Sequence, residues 1–251
     1  MSIARHNLGS TGLAAMFVAA MATSAANADS LGLVLRPSAS LVTAGQTVDV
    51  RLAVRHQTTG PFVAPQAQSF LALDVVLSWD PTKLQFLGLS STGSIPMLFS
   101  YLPAPAQDYT GLNEFNPPRD GDLFYTGATP LGQPRNVTEA DAQVTTFRFR
   151  VLGTWASTEV RALPNRTVLA YAETIVYDGT TPGLGVTGTL APAQMRQCIA
   201  DQDRTGAVDG ADLALLLAAY GQPSATADLD NSGTVDGADL GLLLAAWGPC
   251  Q

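Results

Sequence analysis

The chain has 251 residues, with 21 acidic against 13 basic side chains, a net charge of −8, 46% hydrophobic residues and two cysteines. An acidic chain without a basic cluster argues against a nucleic-acid or anionic-membrane partner. Its length accommodates one sizeable domain and one small one.

Residues 1–28 have the layout of a secretory signal peptide: Arg5, an apolar run from Leu13 to Ala22, and Ala26-Asn27-Ala28 ahead of Asp29. The apolar run is too short for a membrane span, which needs about 20 residues. The expectation is a secreted, extracellular protein cleaved after Ala28, with no membrane span.

Residues 29–190 read as β. Candidate strands are 33–35, 47–54, 70–79, 84–87, 122–125, 144–151, 158–162 and 167–177. Several alternate faces, as in Val48, Val50, Leu52 and Val54 against Asp49 and Arg51, or Phe147, Phe149 and Val151 against Arg148 and Arg150. Turn residues separate them, as at Ala44-Gly45-Gln46 and Trp79-Asp80-Pro81. Eight or nine strands without helical periodicity predict a mainly β sandwich. Residues 91–120 form a Pro-rich insert too long for a plain hairpin.

The opening Val42-Thr-Ala-Gly45-Gln-Thr-Val-Asp-Val50 and the stretch Phe70-Leu-Ala-Leu-Asp74-Val-Val-Leu-Ser-Trp79-Asp80-Pro81-Thr-Lys-Leu84-Gln-Phe86 resemble a cohesin domain. Gly121-Asp-Leu-Phe124 and Thr145-Thr-Phe147-Arg-Phe149 extend the likeness. It is shared with related sandwiches that include carbohydrate-binding modules, and it implies a jelly-roll β-sandwich of about nine strands.

No catalytic residues are expected here. A nucleophilic triad needs a base, and the one histidine beyond the signal is His56, read as a surface residue at a strand end. Asp74, Glu114, Asp120, Asp122, Glu139 and Glu173 are available as carboxylates, but no spacing singles out a glycosidase pair. Asp74 and Asp80 read as strand and turn residues. Polysaccharide is a rival partner, since Trp79, Tyr101, Tyr109, Phe115, Tyr125 and Trp155 are candidates for a stacking platform. Asn136-Val-Thr138 and Asn165-Arg-Thr167 match glycosylation acceptors. Residues 191–197 read as a short linker.

Residues 198–251 contain one loop written twice. Asp201-Gln-Asp203-Arg-Thr205-Gly206-Ala207-Val208-Asp209-Gly210-Ala211-Asp212 returns as Asp228-Leu-Asp230-Asn-Ser232-Gly233-Thr234-Val235-Asp236-Gly237-Ala238-Asp239. Ca²⁺ takes 6–8 oxygens, which a 12-residue loop supplies from positions 1, 3, 5, 7, 9 and 12. The first set is Asp201, Asp203, Thr205, the Ala207 carbonyl, Asp209 through water, and Asp212. The second is Asp228, Asp230, Ser232, the Thr234 carbonyl, Asp236 and Asp239. Gly206 and Gly233 stand where the chain must turn sharply. Val208 and Val235 at position 8 are expected to pair as a short β-bridge.

An apolar helix follows each loop. Leu213, Leu216, Leu217 and Tyr220, repeated as Leu240, Leu243, Leu244 and Trp247, are spaced for one buried face. Leu215, Leu242 and the alanines leave almost nothing polar opposite, more apolar surface than so small a module buries alone. Either the helices pack on each other and on the preceding domain, or they present a partner interface.

The duplicated loop–helix unit resembles a type I dockerin module, a pair of half EF-hands. The resemblance covers Cys198 to Cys250 and includes Asp at position 12 and the leucine pairs beyond it. It implies two bound Ca²⁺ ions and docking onto a cohesin domain of another secreted or surface protein. Partner choice would lie at Gly210, Ala211, Gly237 and Ala238 and along the helices at Leu215, Ala218, Leu242 and Ala245. Asp203 and Asp230 stand where the family commonly has Asn, and Thr205 and Ser232 where it has Asp.

Cys198 and Cys250 flank the repeat. In an exported chain such a pair reads as a disulfide, here a clasp of roughly 4 kcal/mol in the chain-entropy model. Free thiols or a zinc site are the alternatives, and the only histidines are His6 and His56.

Overall fold

The computed structural model describes residues 30–57, 68–164, 173–179, 186–224 and 226–250. The signal segment, residues 167–172 of the last predicted strand and the second acceptor asparagine lie outside them.

Among the described residues, thirteen strands precede the duplicated loops. They are β1 (Ser30–Pro37), β2 (Thr47–Gln57), β3 (Gln68–Phe70), β4 (Ala72–Trp79), β5 (Leu84–Thr92), β6 (Phe99–Tyr101) and β7 (Asp122–Ala128). Then come β8 (Arg135–Val137), β9 (Ala142–Val151), β10 (Ser157–Leu163), β11 (Ile175–Tyr177), β12 (Thr187–Ala191) and β13 (Ala193–Arg196). One sheet has the order β12-β1-β2-β9-β5; the other runs β13-β10-β4-β7-β6, with β11 also on β4. β3 and β8 form a separate ribbon.

Side-chain alternation decides which face of each sheet turns inward. β2 buries Val48, Val50, Leu52 and Val54, and β9 buries Phe147, Phe149 and Val151 while Arg148 and Arg150 stay exposed. Antiparallel register sets Val50 beside Phe147 and Val48 beside Phe149. The facing sheet contributes Leu73, Val75, Leu77 and Trp79 from β4 with Leu123 and Tyr125 from β7. Rings interlock between the layers: Trp79 meets Phe149, and Tyr125 meets Phe147, edge-on at 5.4 Å between centroids. Each such side chain gains about 1.5–3 kcal/mol from burial, so the core is the dominant stabilising element.

The strand count exceeds the expected eight or nine because the additional strands are short. Two further expectations change. Residues 191–197 do not form a linker: Ala193 and Met195 point into the core while β13 pairs with β10, and Arg196 exchanges backbone hydrogen bonds with Ser40 and Val42 at 2.9 Å. His56 is not a surface residue, being 2% exposed at the end of β2. The Pro-rich insert folds back on the outer face of the second sheet, where Leu112 packs on Val76 and Phe124. Asn113 pins it there, donating from Nδ2 to the carbonyls of Pro103 and Phe124 and accepting from the Phe124 N–H at 2.9 Å.

After β13 the chain enters the repeat at once. Its elements are β14 (Ala207–Val208), α1 (Gly210–Ala218), α2 (Gly237–Ala245) and β15 (Gly248–Pro249).

Candidate metal and docking module

The two loops fold alike, and the hydrogen bonds show why. In the first, both Asp201 oxygens accept backbone N–H groups, from Thr205 at 3.0 Å and Gly206 at 2.8 Å. In the second, Asp228 does the same with Ser232 at 3.0 Å and Gly233 at 2.8 Å. Gly206 and Gly233 have φ of 91° and 100°, the left-handed region glycine favours. Position 4 is left-handed too, at Arg204 and Asn231. Asn tolerates this region better than Arg does, and sequence spacing alone gave no sign of it at Arg204.

Asp212 and Asp239 close the loops. Both are wholly buried. One Asp212 oxygen accepts from Gln202 at 2.6 Å and Asp203 at 3.1 Å, and the other from Asp209 at 2.9 Å. Asp239 repeats this with Leu229, Asp230 and Asp236. Burial acts to raise the Asp239 carboxyl, yet the backbone N–H groups of Asp236, Asp230 and Leu229 outweigh it and hold the group below its ordinary value. The side chain is thus kept as a carboxylate.

The structure brings together Asp201, Asp203 and Asp212 in one loop and Asp228, Asp230 and Asp239 in the other, with one ligand oxygen from each lying within 4.8 Å of the others. Thr205 Oγ1 lies 3.3 Å from the Ala207 carbonyl, and Ser232 Oγ 3.1 Å from that of Thr234. The position 9 carboxylates stand apart from these groups. Asp209 and Asp236 cap α1 and α2, each accepting the N–H two residues on, of Ala211 and Ala238, within reciprocal capping boxes completed by Asp212 and Asp239. Each donor set is all oxygen and strongly anionic, which fits a hard divalent cation. Filled, each site would supply the positive charge that three converging carboxylates lack.

Val208 does not pair with Val235. β14 pairs instead with β15, setting Val208 against Gly248. Val235 pairs with the exit of α1, accepting from Gly221 at 2.8 Å and donating to Gln222 at 3.1 Å. Each loop is therefore braced by the segment that leaves the other helix. Cys198 and Cys250 form the expected disulfide, with Cα atoms 5.9 Å apart.

The predicted helix faces are only half right. Leu216 and Leu243 are fully buried in the module core with Val208 and Val235. Leu213 and Leu240 are partly buried. Leu217, Tyr220, Leu244 and Trp247, placed on the buried face by their spacing, are each about half exposed (49–52%). Leu217 and Leu244 point about 100° round the helix from the buried Leu216 and Leu243, and Tyr220 and Trp247 lie beyond the ends of α1 and α2. Leu215, Ala218, Leu242 and Ala245 are exposed as expected, and so are Gly210, Ala211, Gly237 and Ala238. The faces differ in surroundings: Leu242 and Ala245 of α2, with Trp247 just beyond it, border a groove of about 510 Å³ shared with Leu41 and Arg196 of the sandwich.

The aromatic platform does not form. Trp79, Tyr125 and Trp155 are buried in the core. Tyr109 and Tyr101 are exposed, but each leans edge-on against a neighbour, Phe124 and Phe99 respectively. The Arg119 guanidinium covers the Phe115 ring at 4.3 Å. Asp80 is the expected turn residue, accepting from the Thr82 N–H at 3.0 Å. Asp74 pairs in register with Thr126, and burial raises its carboxyl despite the Thr126 hydroxyl.

Among solved structures, a type II cohesin domain from the cellulosome of Acetivibrio cellulolyticus is similar at 13% identity and a TM-score of 0.43, covering 66% of this chain and 94% of that one. A cohesin module from a family 33 glycoside hydrolase of Clostridium perfringens gives 9% and 0.41, covering 68% and 98%. A chain of a type I cohesin–dockerin complex from Clostridium thermocellum gives 11% and 0.42, covering 67% and 99%. No family model matches the chain, and no curated protein matches it. Among the described residues, no helix is long and apolar enough to cross a membrane.

Proposed function

We propose that this is an exported, non-catalytic assembly protein whose C-terminal module binds two Ca²⁺ ions and, so loaded, docks onto a cohesin-type domain of another protein. The observation that carries this reading is the duplicated loop, in which three aspartates converge twice with the same hydrogen bonding. Six large apolar side chains on α1, α2 and their exits remain exposed beside those loops, a surface that suits a protein partner. Calcium acts by holding the loops that orient the helices. The residues assigned to it are Asp201, Asp203, Thr205, Ala207 and Asp212, with Asp228, Asp230, Ser232, Thr234 and Asp239. Asp209 and Asp236 cap the helices and contribute through water.

The test is capture of a cohesin domain by the immobilised chain, with Ca²⁺ and in excess chelator. The intact chain should retain the domain only with Ca²⁺, and Asp201→Ala combined with Asp228→Ala should retain none in either condition. Retention in chelator contradicts calcium-dependent docking.

A further inference from the structure

We propose that the Cys198–Cys250 disulfide is a positioning device for the first calcium loop alone, so that the two ion sites are unequal despite their matching ligands. The inference rests on the calcium reading above.

The two braces are related by the internal repeat but are tethered differently. The second loop is braced at Val235 by Gly221 and Gln222, which lie only 14 residues upstream (221 to 235) in the same continuous stretch. The first loop is braced at Val208 by Gly248, 40 residues downstream (208 to 248) and beyond both helices. A longer closure is entropically harder to maintain. The disulfide removes that difference. It joins Cys250, two residues past Gly248, to Cys198, three residues before Asp201, closing a separation of 52 residues.

Local contacts show where the clamp acts. The Cys250 N–H donates to the Gly206 carbonyl at 2.9 Å, at the sharp turn of the first loop. Cys250 Sγ lies 3.6 Å from Asp201 Oδ2. A disulfide sulfur carries no hydrogen, so this is a packing contact against the first ligand of the site. The chain's two cysteines are both in this bridge, so Asp228 has no counterpart to it. The first loop is thus clasped from outside by a covalent bond that packs on Asp201, and the second is braced by the chain between α1 and the loop.

The experiment compares the intact chain with Cys198→Ser/Cys250→Ser. Calcium titration is followed by amide hydrogen exchange, read separately over 201–212 and 228–239. Loss of a group that orients a metal ligand typically weakens affinity about 10–100-fold, and that shift is expected for protection of 201–212. Protection of 228–239 should move less than about threefold, because its brace is untouched. Adding Asp228→Ala to the serine variant should leave only the weakened site. Equal shifts at both loops, or none at either, overturn the proposal. Absence of calcium protection in the intact chain instead overturns the calcium reading on which it rests.

Discussion

Leu216 and Leu217 are neighbours on α1 with opposite surroundings, so truncating each separates folding from docking. Leu216 is wholly buried in the module core, and Leu216→Ala should remove about 2–5 kcal/mol. The module, roughly fifty residues long, has a total stability on the order of 3–8 kcal/mol by the usual per-residue range. Losing Leu216 therefore removes most of it. Leu217 is 51% exposed. Complete burial of a leucine is worth about 1.5–3 kcal/mol, so Leu217→Ala should take away about 1 kcal/mol. Thermal unfolding of the calcium-loaded chain, followed through helical circular dichroism, reads both. Leu216→Ala should lose the helical transition or shift it far down, while Leu217→Ala stays close to the parent. Capture should reverse the order of interest: Leu217→Ala with Leu244→Ala should keep the fold and weaken partner retention by about fivefold or more, as loss of interface anchors does. If Leu217→Ala melts with Leu216→Ala, the stripe assigned to docking is packing surface and the reasoning fails.

Two further outcomes are expected. Asn113→Ala leaves the Phe124 N–H and two carbonyls without their partner, about 1–3 kcal/mol of local loss. Limited proteolysis should then cut within 103–120 while the sandwich stays intact, and an unchanged digestion pattern would refute the pinning role. The Thr82 hydroxyl, at 2.6 Å, holds the Asp80 carboxyl below its ordinary 3.8. A carboxyl depressed in the folded state adds stability above its unfolded value and loses it as pH falls through the folded one. Thr82→Ala should therefore flatten the fall of the unfolding midpoint below pH 3.8, and equal slopes would refute it.

Both halves of the molecule announce themselves in sequence, but unevenly. Long strands that alternate, such as β2 and β9, were legible because a period of two over eight or more residues has few other readings. β6, β8 and β13 were not, since strands of three or four residues turn at most two side chains inward. Ala193 and Met195 form such a pair, which is why 191–197 reads as a linker. Trp79 and Tyr125 pass as platform candidates because an aromatic in a strand looks the same facing inward or outward until its neighbours are known. Trp155, between β9 and β10, does so because nothing local shows that a connection is buried. The convergence of three carboxylates in each loop was legible because the twelve-residue pattern is local. The partner of Val208 was not, because Gly248 lies beyond both helices, and the same non-local pairing hides the role of Cys250 at Asp201.

The central claim is that the duplicated loops are filled by ions. Calorimetric titration of Ca²⁺ into the intact chain tests it most directly. The account predicts two ions bound per chain, falling to one with Asp228→Ala and to none when Asp201→Ala is added. A flat titration of the intact chain, or binding that survives both substitutions, would contradict it.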